Sequence, residues 1–573
     1  MGDDKVPKLK RKFYPKSFQI TNWDKLEGEF KQLLSFEINS PTKLIEFWEK
    51  FSELSKIITD KESWLYINMT CFADNPEHEE AYSQFNETIG ANSQSYEFRL
   101  SKKFYDSPFR LELPPKYDHL NHIIANDIEI FREENILLSV AEQKLAAKYN
   151  VIVSKMTVDF NGKEKTIKQL DPFLESPDRS IREKAWRLVY DRIIQDKKEL
   201  DSLFDDLKDI RVKMAKNAGF ENYRDYMHQA KGRFSYTPQD LLQLHDAVEK
   251  MVVPLISEFN ELRKKKLDLN TLKPWDMKVN LNGELPKPFT TPTELIAKSI
   301  RTLTSVDPVF SNELKAMERN ILIDAGNRKG KAPGGYCSPL YEQGSSFIFM
   351  NSVGIRRDIE TMLHESGHAM HNMLSSSQPI IQYLDCPSEV AELASMGMEL
   401  ISLPWWGEFY SKTILETVKY EKLMDEIKFL PWGVVVDAFQ HWIYTNPNHT
   451  TNERETYLSE LIDRFKIDGD WDGLEREKAV RWMLQLHFFR YPFYYIEYVI
   501  AQLGAIAIYR NYLQNPVKTI DQYKKFLGLA YAKPVSEIYQ AAGISFDFSA
   551  EYIADLMKFL RNELNLGVVW ISK

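Results

Sequence analysis

Apolar residues along most of this chain recur at intervals of three and four. After Ser40-Pro41, a stripe of Leu44, Phe47, Trp48, Phe51 and Leu54 lies on one side of any helix drawn there, the signature of a core-facing amphipathic helix. Serine before proline also marks a start: the hydroxyl caps, and the proline needs no N–H in the first turn. The stretch Asp127 to Tyr149 predicts another helix, and the first 150 residues read as helical. The pattern changes at Val158 to Ile167, where V-D-F-N-G-K-E-K-T-I places Asn161-Gly162 at a turn and predicts a β-hairpin. S-P-D-R-S-I-R-E-K-A-W then restarts a helix, with Ser176 or Asp178 as its cap.

Helices continue through N-A-G-F-E-N-Y-R-D-Y, Asn217 to Tyr226, to about Lys266. Residues 267–292 are rich in Pro, Asn and Thr and are expected to be a connection, either a linker or a loop over a cleft. A strand is expected at Ser346–Asn351, placed to be either a sheet edge for an extended peptide or a buried structural strand. Helices follow at Glu360–His371 and Glu389–Glu399. The periodicity therefore gives a mostly α fold with a small β-sheet beside the helix at 360–371, without internal repeats.

Chemistry enters at that helix, E-T-M-L-H-E-S-G-H-A-M-H. His364 and His368 are one turn apart, so both imidazoles leave the same side and can fill two corners of a tetrahedral Zn²⁺ site. Glu365 is offset enough to reach a water on the metal without ligating it, the H-E-x-x-H arrangement of zinc hydrolases. Ile359, Met362, Leu363, Ala369 and Met370 make the helix apolar enough to be buried, and buried charge needs a partner. Gly367 costs a helix about 1 kcal/mol relative to Ala, which implies close packing against it. For a third ligand, S-E-V-A-E-L-A-S-M-G-M-E offers Glu389, Glu392 and Glu399 on one helix face. Spacing does not choose among them; the acids not ligating are candidate acceptors for the histidine N–H groups.

A second cluster, H-F-F-R-Y-P-F-Y-Y-I-E-Y, spans His487 to Tyr498. Tyr491, Tyr494 and Tyr498 fall at spacings of three and four and are expected to share a helix face, from which a phenol or imidazole could stabilise an oxyanion.

Composition narrows the options. A net charge of −9 and pI near 5.8 argue against nucleic acid as a partner, and the basic run Lys8, Lys10, Arg11 and Lys12 reads as a solvated tail. Cys71, Cys337 and Cys386 are too scattered for a disulfide framework, which fits a reducing compartment. The first dozen residues lack the apolar run of a signal peptide, and no span is long enough for a membrane helix, so a cytoplasmic location is expected. R-K-G-K-A-P-G-G-Y-C-S-P, residues 328–339, is wrongly spaced for a P-loop. D-G-D-W-D-G, Asp468 to Gly473, opens like a calcium loop, but its twelfth position is Ala479; it is expected to be a turn capping the next helix.

With these motifs in view, the chain resembles the M3 family of zinc metallopeptidases, the oligoendopeptidase F and thimet oligopeptidase group. H-E-S-G-H-A-M-H (His364 to His371), Glu392 with Ser395 and Glu399, G-F-E-N-Y-R-D-Y, A-P-G-G-Y-C and H-F-F-R-Y-P-F-Y-Y carry the resemblance over roughly residues 150 to 510. The resemblance implies an elongated multi-helix zincin with a deep central channel that admits short peptides and excludes folded proteins. It selects Glu392, which opens E-x-x-S-x-x-x-E, as third ligand to a single Zn²⁺, and it maps transition-state donors to His487, Tyr494 and Tyr498. Ala501 stands where some members carry another tyrosine, so Tyr491 stays a candidate for the same role. The implied organisation is an N-terminal helical region, 1–200, containing the hairpin near 151–170, and a catalytic region, 201–573. The expected activity is zinc-dependent cleavage of internal bonds in short peptides with Glu365 as general base. Two alternatives stand beside it: a dipeptidyl carboxypeptidase or carboxypeptidase with the same zinc geometry, which needs a cation for the substrate's C-terminus, and a non-catalytic peptide-binding protein. The oligomeric state is left open.

Overall fold

The computed structural model describes residues 9–283 and 285–564. Helices dominate, and the chain divides into two compact units, each assembled from three separated segments. The first takes the described parts of Met1–Glu129, Pro286–Lys419 and Gly504–Phe546; the second takes those of Ile130–Leu285, Tyr420–Leu503 and Asp547–Lys573. Among the described residues, no helix is long and apolar enough to cross a membrane.

In the first unit, Ser40 caps the helix Pro41–Cys71, its hydroxyl accepting from the Lys43 N–H at 3.2 Å with Pro41 in the first turn. Leu44, Phe47, Trp48, Phe51 and Leu54 are buried as the stripe predicts. Their core continues through Phe104, Leu120 and Ile124 and is completed by Ile380 and Tyr383 from a distant part of the sequence. The indole of Trp48 donates to Gln382 Oε1 at 3.0 Å. The basic run is only partly solvated: Lys10 and Lys12 are exposed as expected, but Arg11 is packed against the first unit. The guanidinium of Arg11 pairs with Glu342 at 2.5 Å and Lys12 with Glu49 at 2.6 Å, while Lys8 lies outside the described residues. A carboxylate within reach of a half-buried guanidinium outcompetes water when it also accepts a directed hydrogen bond.

The second unit contains the hairpin: β1 (Thr157–Asp159) pairs antiparallel with β2 (Glu164–Thr166), and Asn161 and Gly162 both have positive φ, as a two-residue turn of this kind requires. Asp178, not Ser176, caps the helix Arg179–Asn217 by accepting from the Ser180 N–H at 2.8 Å. The predicted helix at 127–149 is instead two, Asp118–Ile130 and Glu134–Ser154. The break is where Arg132 donates to the terminal carbonyls of Asn217 and Ala218, a C-terminal cap that outweighs local helical pattern. The connection at 267–292 contains the boundary between the two units, between Leu285 and Pro286, as a linker would, but it is packed rather than bare. Its Pro274–Asp276 turn is buried, and Asp276 accepts from Arg179 and Arg182. The Asp468–Gly473 segment is a turn, with Asp468, Gly469 and Gly473 at positive φ, but it caps nothing. Its carboxylates instead engage Arg481 and Lys273.

A three-stranded sheet lies in the first unit, in the order β3 (Ile323–Gly326), β5 (Ser345–Ser352), β4 (Tyr336–Leu340). β3 runs parallel to β5 and β4 antiparallel to it. The strand expected at 346–351 is thus β5, the buried central one, paired on both sides and offering no free edge. β5 leads directly into the helix Arg356–Ser375, whose start is fixed by Asp358 accepting from the N–H groups of Val353, Gly354 and Ile355.

Candidate metal centre

Two helices of the first unit build the centre: Arg356–Ser375, which carries both histidines, and Ser388–Ser402, which carries the acids. They touch closely because Gly367 has no side chain. A Cβ there would stand 2.6 Å from the Ala394 carbonyl oxygen and 2.6 Å from Ser395 Cα, well inside contact distance. The sequence expectation of close packing at Gly367 is therefore met by backbone.

That approach brings Glu392 up to the histidine pair. Its Oε2 lies 3.3 Å from His364 Nε2 and 3.7 Å from His368 Nε2, and the two rings are 4.9 Å apart and nearly perpendicular. One ligand atom from each of His364, His368 and Glu392 falls within 4.8 Å of the others. Of the two flanking acids, Glu399 accepts from His364 Nδ1 at 2.7 Å. That bond fixes the ring's tautomer and turns the Nε2 lone pair toward Glu392. Glu389 is buried further along, where its backbone carbonyl accepts from the Tyr539 hydroxyl at 2.8 Å. Ser395 Oγ, one turn beyond Glu392, donates to the same Oε2 at 2.8 Å. Sequence reading gave Ser395 no task; its E-x-x-S spacing was the available signal.

Electrostatics fit a cation at this point. Burial alone would lower the His364 pKa, yet its bonds to Glu392 and Glu399 raise it well above the usual histidine value. Burial would raise Glu392, but the hydrogen bond from His364 and the charge of His368 bring it below the ordinary range. His368, half-buried and facing carboxylates only through space, is lowered to about 4, chiefly by its removal from water. Two carboxylates therefore demand one positive charge that the cluster must share, either a proton on His364 or a metal ion taking the nitrogen and oxygen lone pairs together. Imidazole, imidazole and carboxylate suit zinc and leave room for a fourth position.

Glu365 is buried beside this cluster, and its carboxyl is raised to about 7, chiefly by burial and further by Glu392 and Glu399, with His364 opposing. The Gly334-Gly335 segment, leading into β4, lies against it. A Cβ on Gly335 would meet Thr361 Cγ2 at 3.3 Å and Glu365 Oε1 at 3.8 Å. Of the cysteines near the cluster in sequence, Cys337 and Cys386 are half-buried free thiols whose pKa values burial pushes up, so neither is primed as a nucleophile.

The His487–Tyr498 cluster belongs to the second unit. The expected shared helix face is not there. Tyr491 ends the short helix Leu486–Arg490, Tyr494 precedes the helix Tyr495–Gln514, and only Tyr498 is helical. Pro492 supplies no N–H and Phe493 takes a positive φ of 59°, so the chain turns sharply between the helices. The turn nonetheless gathers the rings. Tyr494 stacks on His487 at 6.0 Å and stands 5.2 Å from Tyr498, while Tyr491 is 6.2 Å from His487. Among the described residues the nearest ring to His487, at 4.6 Å, is Tyr495, which also lies at a spacing of four from Tyr491 and three from Tyr498 but was not among the sequence candidates. Arg233 holds the turn by donating to the Phe493 carbonyl and to Glu497 at 2.7 Å, and Gln440 accepts the Phe493 N–H at 2.8 Å.

Comparison with known proteins adds independent findings. The family model described as Peptidase family M3 matches residues 173–558, and that of the Peptidase M3 N-terminal domain matches residues 13–131. Group B oligopeptidase PepB of Streptococcus agalactiae is 23% identical over 490 residues, 80% of this chain and 76% of its own length. An oligoendopeptidase F homolog of Lactococcus lactis is 21% identical over 572 residues, covering 92% and 90%. The solved structure of PZ peptidase A with an inhibitor superposes with a TM-score of 0.87 at 26% identity, covering 97% of this chain and 100% of that one.

Proposed function

The chain belongs to peptidase family M3 and is a metallo-endopeptidase of the oligoendopeptidase type, and from that premise we propose that it hydrolyses internal bonds of short peptides at a single zinc ion held by His364, His368 and Glu392. The observation that carries this reading is the convergence of three ligand atoms, two imidazole nitrogens and one carboxylate oxygen, within 4.8 Å of one another. Zinc, when bound, acidifies a coordinated water and withdraws charge from the scissile carbonyl.

The remaining work falls to this chain's own groups. Glu365 accepts a proton from the attacking water and delivers it to the departing amine nitrogen, for which a carboxyl already raised by burial is suited. Glu399 holds His364 in the tautomer that presents Nε2, and Ser395 steadies Glu392. Hydrogen-bond donation to the oxyanion is assigned to His487 and to the phenols of Tyr491, Tyr494 and Tyr498. A cytoplasmic location, and short peptides rather than nucleic acid or membrane as what it acts on, belong to the same reading.

Glu365→Gln is the test. Elemental analysis should still find one zinc per chain, while cleavage of a peptide blocked at both ends falls by about 10²–10⁴-fold. Near-normal turnover in that variant removes Glu365 from the mechanism. Failure of the wild-type protein to cut the blocked peptide, with unblocked peptides still trimmed, makes it an exopeptidase.

A further inference from the structure

His487 is tied to two residues that nothing so far has given a function. Its Nδ1 lies 2.6 Å from Gln485 Nε2, and Gln485 Oε1 accepts from the indole N–H of Trp432 at 3.0 Å. An indole nitrogen can only donate, so the amide must present its oxygen to Trp432 and its NH₂ to the imidazole. Nδ1 is then an acceptor, and the neutral ring carries its proton on Nε2. Among the described residues, none hydrogen-bonds to that Nε2. We propose that Gln485, oriented by Trp432, is a positioning residue that locks His487 as the Nε2–H tautomer and so keeps it a hydrogen-bond donor. This deepens the donor role proposed for His487 and rests on it.

The surroundings make the lock stiff. The Arg481 guanidinium lies 4.0 Å over the Trp432 ring, where it holds the indole and polarises its N–H, and Asp468 fixes Arg481 at 2.9 Å. This gives the Asp468–Gly473 turn a use that calcium binding did not. The backbone on either side of the imidazole is fixed as well. Gln485 N–H donates to the Trp482 carbonyl at 2.9 Å, and the buried Arg211 donates to the carbonyls of Phe488 and Phe489, both at 2.7 Å. Burial lowers the His487 pKa to about 4, so the ring is neutral at physiological pH and its tautomer decides whether it donates. The titratable groups facing it are the phenols of Tyr491, Tyr494, Tyr495 and Tyr498, with the Lys231 ammonium 5.0 Å over the Tyr494 ring.

Gln485→Glu reverses the lock with little change of shape. A carboxylate still accepts from Trp432 but also accepts from His487, which must then protonate Nδ1. In zinc-loaded full-length protein with ¹⁵N-labelled histidine, the His487 resonances, assigned by their loss in His487→Asn, should show a protonated Nε2 in the wild type. In Gln485→Glu they should show a protonated Nδ1 once the ring is neutral. The same variant should acquire an alkaline limb in kcat, falling by about tenfold as His487 loses its second proton. The wild type should lack that limb, and KM and zinc content should hold. Trp432→Phe, which frees the amide to turn over, should give a mixture of tautomers with an intermediate kcat. A wild-type His487 with its neutral proton on Nδ1, or a tautomer indifferent to Gln485→Glu, overturns the lock. Tautomers that switch as described with kcat unmoved leave the lock standing and remove His487 from the reaction.

Discussion

At the scale of single residues, the centre depends on groups that hold other groups. Glu399 accepts from His364 at 2.7 Å and Ser395 donates to Glu392 at 2.8 Å. Loss of such a partner weakens metal binding by about 10–100-fold. Competition with a chelator should therefore show Glu399→Ala binding zinc within that range of weakening and Ser395→Ala less affected, since a serine–carboxylate bond carries no second charge. What the sequence revealed at this scale follows its chemistry. His364, Glu365 and His368 were legible because a helix turn fixes their relation. Glu392 was separable from Glu389 and Glu399 only by likeness to a family, because three acids on one face look alike until a partner helix arrives. Gln485 was invisible, since its meaning comes from a tryptophan more than fifty positions away.

At the scale of elements, close approach decides function. Gly367→Ala would gain about 1 kcal/mol of helix propensity, but its methyl would stand 2.6 Å from the Ala394 carbonyl oxygen, and overpacking of this kind costs about 1–3 kcal/mol. The two helices must part, so zinc affinity should fall with little loss of helical circular dichroism. In the second unit, Asp276 ties the 267–292 connection to Arg179 and Arg182. Asp276→Asn leaves a buried guanidinium without its counter-charge and should destabilise by about 3 kcal/mol or more, seen as a lower urea midpoint. Burial would raise the Asp276 pKa, but bonds from Arg179, Lys273 and Arg182 hold it below the ordinary value. A carboxyl depressed on folding binds fewer protons folded than unfolded. Its contribution is therefore complete above the unfolded pKa near 4 and is lost as pH falls through the folded value, and Asp276→Asn should flatten that acid-side decline. Periodicity found the helical stretches it named, and it failed where a residue was recruited to a distant helix end, as Arg132 is by the carbonyls of Asn217 and Ala218. It failed also where the turn at Pro492 and Phe493 left Tyr491 and Tyr494 outside either helix.

At the scale of the whole molecule, sequence order and spatial grouping part company. The N-terminal stretch has a stripe that any reader of periodicity would find, yet its core is closed by Ile380 and Tyr383, and Lys524 reaches Asp307 at 2.7 Å within the same unit. Local pattern holds no record of which segments return to meet. A fragment covering residues 13–131, the span of the N-terminal family match, should accordingly show helical circular dichroism with poor amide dispersion, and dispersion should improve on adding residues 286–419, which carry Ile380 and Tyr383, in trans. A well-dispersed spectrum from the fragment alone would contradict this. The interleaving also bears on how the enzyme is made. Translation delivers His364 and His368 about 140 residues ahead of the last segment of their own unit, which begins at Gly504. A growing chain thus carries its candidate ligands before the segment that packs behind them, where the hydroxyls of Tyr523 and Tyr539 reach the Ala394 and Glu389 carbonyls, and peptide cleavage should wait for that segment to emerge.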